Sequence, residues 1–265
     1  MTARLDAELV RRRLATSRER AKEYIQSGAV TVNGIPAKKP SDTVSEGDDI
    51  KLIGETLKYV GRGGLKLEGA VNAFAIDLSG KTCLDIGAST GGFTDCMLQH
   101  GAQKVFAVDV GHGQLAEKLR SDDRVVNIEG VNVKDLTHEL ITEPIDFISA
   151  DLSFISVRYA ADAAKLMLKS DGEAVLLIKP QFEAGRKNLS KNGIVRDSKV
   201  HADVLESLCG YFQSIGLAVK GVVPSPIKGG DGNIEYLAHL VKSGTFTSHK
   251  IDYKRIVQSA FSQKG

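Results

Sequence analysis

The sequence predicts an α/β fold: a doubly wound, mainly parallel sheet that closes with an antiparallel pair, preceded by a small α+β module. Three observations predict it. From residue 82 onward short apolar runs alternate with amphipathic helical ones, two late strand-like runs lie too close together for a crossover helix, and the first 55 residues carry a charge and turn pattern of their own. A chain of 265 residues can bury one substantial core and still carry a small appendage.

The N-terminal module is expected over residues 1–55. Leu5, Leu9 and Val10 have helical spacing, and "TSRE" offers Thr16 as the cap of a second helix with Glu19 reaching back. Gly28 ends that helix. "AVTVNG" then alternates as a strand, Asn33-Gly34 makes a tight turn, and "DDIKLI" supplies another strand. A glycine-containing linker is expected at 56–65 and the main domain at 66–243. There "TCLDIG" leads to a helix near 92–99, "KVFAVDV" to one at 113–120, and "RVVNIE" to a further crossover. "IDFISAD" precedes a helix at 157–168 and "AVLLIK" a long one near 198–214, while "LAVKGVVPS" and "IEYLAHLV" form the antiparallel pair. Residues 244–265 read as a tail of loop and short helix.

Composition narrows the function classes. With 42% hydrophobic and 26% charged residues the chain is an ordinary globular protein, and no apolar run approaches membrane-spanning length. "MTARLDAELVRRR" has no apolar signal core, so a cytoplasmic protein without a membrane partner is expected. Cys83, Cys96 and Cys209 are scattered and lack CxxC spacing, which suggests neither a disulfide framework nor a metal site. The charge is uneven. Residues 1–40 hold nine Lys or Arg against four acids, whereas the whole chain is only +2, so the remainder is net negative. A basic segment of this kind is the electrostatic footprint of a nucleic-acid contact, although a solvated helix face accounts for the same arginines.

The stretch "LDIGASTGGF" runs from a buried strand into Gly87, Ala88, Ser89, Thr90, Gly91 and Gly92. Ser89 occupies the position where a dinucleotide fingerprint needs its second glycine, so a dinucleotide is disfavoured. Small residues still let the backbone approach a flat ligand. Asp85 stands where it orders the loop or reaches a ligand ammonium, and Asp109, at the next strand end, suits ribose hydroxyls. Asn132 follows the third strand, near where a ligand base would lie. Phe93 and Phe182 either stack on a ring or pack, and His112 is a loop histidine near the same ends. Lys66, Asp151, Lys179 and Glu235 read as charged residues at strand edges, costly there unless paired. An ion-pair network and a catalytic cluster both satisfy that requirement.

These motifs carry a resemblance. "RLDAELV", "LATSRERAKEYIQSGAVTVNG" and "KPS" resemble the RNA-binding fold of small ribosomal subunit protein four, which implies RNA contacts at Arg4, Arg11, Arg12, Arg18, Arg20 and Lys22, with Arg62 beyond. The turn, spaced Asp and terminal antiparallel strand are similar to the Rossmann-like sheet of S-adenosylmethionine-dependent methyltransferases, which implies that cofactor at Asp85, Gly87 to Phe93, Asp109, Asn132 and Asp151. Lys66, Asp151, Lys179 and Glu235 follow the Lys-Asp-Lys-Glu order of FtsJ-like ribose 2'-O-methyltransferases. "GRGGLKLEGA", "LDIGASTGGFTDC", "DLSFIS", "KPQFEAGR", "GIVRD" and "SPIKGGDGNIEYL" resemble the TlyA family, often labelled hemolysin A, with Gly61 in place of an expected serine. The resemblance implies methylation of cytidine riboses in the ribosomal RNA of ribosomal subunits, and an asymmetric substrate of that kind suits a monomer. A membrane-active hemolysin and a non-catalytic assembly factor are the alternatives. In the implied chemistry the ribose hydroxyl needs deprotonation or orientation, and Lys179 serves either as a neutral base or as a charged aligner.

Overall fold

A computed structural model describes residues 2–15, 17–26, 28–52, 58–229, 232–242 and 251–262. It divides the chain into two compact units, Met1–Arg62 and Gly63–Gly265.

In the first unit, β1 (Thr2–Arg4) leads directly into α1 (Leu5–Arg11), followed by α2 (Arg18–Gln26), β2 (Val30–Val32), β3 (Ile35–Pro36), β4 (Thr43–Ser45) and β5 (Ile50–Leu52). Thr16 and the side chain of Glu19 lie outside the described residues, and α2 is capped by Ser17, whose Oγ accepts the Arg20 N–H at 3.1 Å. Asn33 and Gly34 both have positive φ, 52° and 79°, as a two-residue hairpin requires, and they register Val32 opposite Ile35. β1 pairs with β4, and β2 is flanked by β3 and β5. The β1–β4 ribbon was not legible in the sequence, because three-residue strands carry too little alternation. Leu5, Leu9, Ala21, Ile25, Val30, Val44 and Ile50 close a core of their own.

The second unit opens with α3 (Gly63–Phe74), so residues 63–65, expected in the linker, form its first turn. Then come β6 (Thr82–Ile86), α4 (Gly92–Gln99), β7 (Lys104–Asp109), α5 (Glu117–Arg120), β8 (Val125–Glu129), β9 (Ile145–Ala150) and α6 (Arg158–Met167). β10 (Leu168–Ile178), α7 (Pro180–Glu183), α8 (Ser198–Ser214), β11 (Ala218–Pro224), β12 (Tyr236–Val241) and α9 (Tyr253–Ser262) complete it. The strand order is β11-β12-β10-β9-β6-β7-β8, with β12 antiparallel to both neighbours. The expected antiparallel pair is present, and β12 is inserted between β10 and β11.

One of these expectations needs correction. The helix read at 113–120 is a single turn, because Gly111 and Gly113 keep 110–116 as a loop. The short helix read in the tail is α9, which buries Val257 and Ala260 in the main core beside Leu205, Leu208 and Phe212 of α8. Residues 243–250, the expected loop, lie outside the described residues. The core lies across the middle of the sheet, where Ala174 to Ile178 of β10 are all buried, as expected for strands covered on both faces.

Candidate active site

The carboxyl ends of β6, β7 and β9 surround a cleft of about 470 Å³, a volume typical of small-molecule sites. Its floor is the glycine turn. Gly87 has φ +81°, and a Cβ there would stand 2.6 Å from the Asp151 carbonyl oxygen; Gly91 has φ +95°, and a Cβ would stand 2.2 Å from Leu119 Cδ1. Conformation and space both demand glycine at these two positions. Between them Ser89 takes φ +48° and turns its N–H to Asp109 Oδ2 at 2.7 Å, while the Gly111 N–H reaches Asp109 Oδ1 at 2.7 Å. One carboxylate thus ties two loops together. It has about four acceptor sites, so each oxygen keeps one for a ligand hydroxyl. Asn132 lines the same cleft and caps a short 3-10 turn through Oδ1, which accepts the Lys134 N–H at 3.1 Å.

Other residues expected around a ligand have different places. Ala88 is buried with its N–H on the Val108 carbonyl, Thr90 accepts the Ala116 N–H through its carbonyl, and Gly92 opens α4. These three shape the turn from behind. Phe93 is buried, with its ring against Gly63, so it packs α3 on α4 and offers no face to the cleft. Asp85 is fully buried beneath the turn. Its Oδ2 accepts Thr94 Oγ1 at 2.7 Å and its Oδ1 accepts Ser149 Oγ at 3.0 Å. Burial pushes its carboxyl up to about 7, against the pull of those two hydroxyls. Of the two roles open to it, ordering the loop is the one its contacts perform. His112 sits over Gly130, with Nδ1 3.9 Å from Glu129 Oε2, outside the cleft lining.

The four charged residues converge. Lys66 reaches in from α3, not from a strand edge as expected; Asp151 follows β9, Lys179 follows β10 and Glu235 precedes β12. Lys66 Nζ donates to Glu235 Oε2 at 2.7 Å and lies 3.8 Å from Asp151 Oδ2. Lys179 Nζ is 2.5 Å from Asp151 Oδ1 as an ion pair, and it makes its aligned hydrogen bond to Ser153 Oγ at 2.9 Å. Two ammoniums and two carboxylates therefore balance in a largely buried cluster, the arrangement that makes buried charge tolerable. Asp151 pairs with both lysines and also lines the cleft.

Sequence reasoning missed three participants. Ser153 is the hydroxyl partner of Lys179. Phe154, 87% exposed and at φ +67°, stands at the cleft with its ring 5.1 Å from that of Phe182, over which Lys179 Nζ sits at 5.8 Å. A bulky residue in that conformation is a strained outlier, and such outliers concentrate at functional sites. Gly229 is the third: a Cβ there would stand 2.6 Å from Glu235 Oε1. "DLSFIS" held the first two in plain view, but no periodicity separates an exposed Phe from a core one.

In the first unit, the basic residues divide by role. Asp6 and Glu8 are buried, and each is gripped by two arginines: Arg4 and Arg18 on Asp6, Arg11 and Arg12 on Glu8. The Arg4 hydrogen bond, helped by Arg18, holds Asp6 far below the usual carboxylate range, and Arg11 with Arg12 holds Glu8 down to about 2. Arg12 also donates to the carbonyls of Ser45, Glu46 and Asp48, which consumes its fork in tying α1 to the β4–β5 turn. It is a strut, not the open RNA contact expected. Arg20 donates to the Val60 carbonyl and lies over the Tyr24 ring. Arg4, Arg11 and Arg18 keep more than half of their side-chain surface exposed, while Lys22 and Arg62 are half-buried.

Comparison with known proteins bears on both units. Residues 59–242 match the FtsJ-like methyltransferase family, and residues 3–50 match the S4 domain. The chain is 47% identical over 238 residues to YqxC of Bacillus subtilis, named as an rRNA methyltransferase, covering 89% of this chain and 85% of that one. It is 44% identical over 239 residues to TlyA of Mycobacterium tuberculosis, named as a 16S/23S rRNA (cytidine-2'-O)-methyltransferase, covering 90% and 89%. A solved structure from Streptococcus thermophilus that carries a hemolysin name superposes with a TM-score of 0.80 at 44% identity, covering 98% of this chain and 96% of that one.

Proposed function

The chain belongs to the FtsJ-like methyltransferase family, and within it to the TlyA group; from that premise we propose that it transfers a methyl group from S-adenosylmethionine to the ribose 2'-hydroxyl of cytidine in ribosomal RNA. One observation carries the reading. Asp151 belongs at once to the glycine-floored cleft and to the buried lysine cluster, so a ligand in the cleft and a hydroxyl at the cluster meet across one carboxylate.

The cleft fits the cofactor on its own terms. Gly87 lines the floor where a side chain would press on Asp151 and Leu152, Asp109 has acceptor capacity for the ribose hydroxyls, and Asn132 stands near the expected adenine edge. When bound, S-adenosylmethionine supplies a sulfonium methyl that is already electrophilic. The protein's share is to hold and deprotonate a poor nucleophile. An ammonium has three N–H donors; Lys179 spends one on Ser153, and its 2.5 Å contact with Asp151 Oδ1 is an ion pair without an aligned hydrogen bond, which leaves an N–H for the 2'-oxygen. This geometry supports Lys179 as charged aligner over Lys179 as neutral base. Asp151 Oδ1 accepts no aligned hydrogen bond, and we assign it the departing hydroxyl proton. Lys66 and Glu235 hold Asp151 and the cluster's charge balance in place. Alignment and proton removal of this kind contribute roughly 10²-fold or more each. Phe154 and Phe182 offer π-faces beside Lys179 for the base of the target nucleotide, and base–aromatic stacking contributes about 1–3 kcal/mol. Arg4, Arg11 and Arg18 suit phosphate contacts in the S4 domain.

Radiolabelled S-adenosylmethionine with separately purified, unmodified small and large ribosomal subunits tests the reading, with Lys179→Ala alongside. Label in a ribose 2'-O-methylcytidine that disappears in the variant is the expected result. Cofactor binding with no label in either subunit would overturn it in favour of an assembly factor. No described helix is long and apolar enough to cross a membrane.

A further inference from the structure

We infer that His201 and Tyr236 act as positioning residues for Glu235, through a buried hydrogen-bonded lock on the opposite face of the sheet. This rests on the proposed methyl transfer. His201, on α8, and Tyr236, the first residue of β12, are both buried. His201 Nε2 lies 3.0 Å from the Val195 carbonyl oxygen, and Nδ1 lies 3.0 Å from the Tyr236 hydroxyl. A carbonyl only accepts, so Nε2 carries the proton, and Nδ1 of the neutral ring accepts from Tyr236. Burial disfavours the charged imidazolium and keeps that tautomer in place. Phe261 packs edge-on against the ring at 5.1 Å.

Tyr236 stands where two members of the cluster are set. Its Cα is paired with Ile178, the residue before Lys179, on one side and with Pro224 on the other. Glu235 immediately precedes it, with its carbonyl accepting the Ser225 N–H at 2.8 Å. Successive side chains leave a strand on opposite faces, and here Tyr236 turns to α8 while Glu235 turns to Lys66 on α3. Fixing the phenol on one face therefore fixes the rotation of the strand end that presents the carboxylate on the other. The same stretch is pinned a second time, by buried Asn233 donating to the Gly193 carbonyl at 3.3 Å. None of these groups lines the cofactor cleft.

The test uses the full chain with Tyr236→Phe, which keeps the buried ring and removes only the hydroxyl. Peptide-resolved hydrogen exchange is expected to quicken at 225–236 and stay unchanged in β6. Single-turnover methyl transfer is expected to slow roughly tenfold at unchanged cofactor affinity, and to slow no further when Tyr236→Phe is added to Glu235→Gln. His201→Gln, whose amide accepts and donates in the same directions, is expected to retain most of the rate, and His201→Leu to lose it. Unchanged exchange at 225–236, or the same rate loss with and without Glu235, would overturn the inference. A wild-type protein that transfers no methyl group overturns the proposed function instead, and exchange still decides the lock.

Discussion

Replacing Asp85 by Asn tests the account of the turn most sharply. Burial raises this carboxyl to about 7, against about 4 in an unfolded chain. Below pH 4 both states are protonated and the group is neutral to stability. Between 4 and 7 the folded state alone keeps the proton, so the contribution falls as pH rises, and above 7 the folded protein bears the whole cost of a buried carboxylate. Three units at about 1.4 kcal/mol each make that cost about 4 kcal/mol. Asn is neutral throughout and nearly isosteric. Its Oδ1 accepts from Thr94, and its amide donates to Ser149, whose hydroxyl is then free to turn toward Met97 Sδ, 3.7 Å away. Asp85→Asn is therefore expected to match wild type near pH 4–5 and to be several kcal/mol more stable at pH 8, with the gain appearing between. The chain contains no Trp, so urea unfolding is best followed by hydrogen exchange in peptides covering β6 and β9. Because only the difference between variant and wild type is used, the other titrating groups cancel. A difference that does not change with pH, or a variant weaker at every pH, would refute the reasoning. Cofactor affinity is expected to survive the substitution, since the side chain lies beneath the cleft lining.

Other outcomes follow from the same geometry. Gly229→Ala drives a methyl group against Glu235 Oε1 and should cost tenfold or more in kcat with little loss of thermal stability, because a flexible side chain yields where backbone does not; equal activity in a steady-state assay would contradict it. Gly87→Ala meets the Asp151 carbonyl at φ +81° and should cost several kcal/mol of stability along with cofactor binding, read by calorimetry and thermal melts. Asp109→Ala releases two backbone amides and should weaken cofactor affinity by about 10²-fold or more, since hydrogen bonds to charged acceptors are each worth about 1.5–3 kcal/mol. In the S4 domain, Arg12→Ala should lower the melting temperature of the unit, whereas Arg11→Ala and Arg18→Ala should weaken RNA binding and each reduce its log–log salt slope by about 1. Because Glu8 is held down to about 2, the grip of Arg11 and Arg12 is present at neutral pH and lost only as pH falls toward 2.

How much of this was legible in the sequence follows the range over which each signal acts. Alternating apolar strands and helices, the Asn33-Gly34 hairpin and the short gap before β12 are local in the chain, so the parallel sheet with its terminal antiparallel strand could be read directly. The order Lys66, Asp151, Lys179, Glu235 was legible through its resemblance to the FtsJ-like pattern, whereas residue type alone said only that such charges need partners. What the sequence could not supply were contacts made across it. Phe93 and Asp85 lie close to cleft residues in the chain yet face away from the cleft, since one belongs to the helix after the turn, packed on α3, and the other to the buried strand beneath it. Lys66 comes from a helix and Arg12 is consumed by three carbonyls more than thirty residues away. Phe154 stands exposed where its composition class predicts burial. The sequence by itself determined the fold class, because that depends on periodicity and residue type, and its motif strings carried the resemblance that named the family and the charged cluster. Only the tertiary structure decided which lysine pairs with which carboxylate, that Asp151 is shared between cleft and cluster, and that a histidine and a tyrosine behind the sheet fix its edge, because each depends on distances between segments the chain keeps far apart.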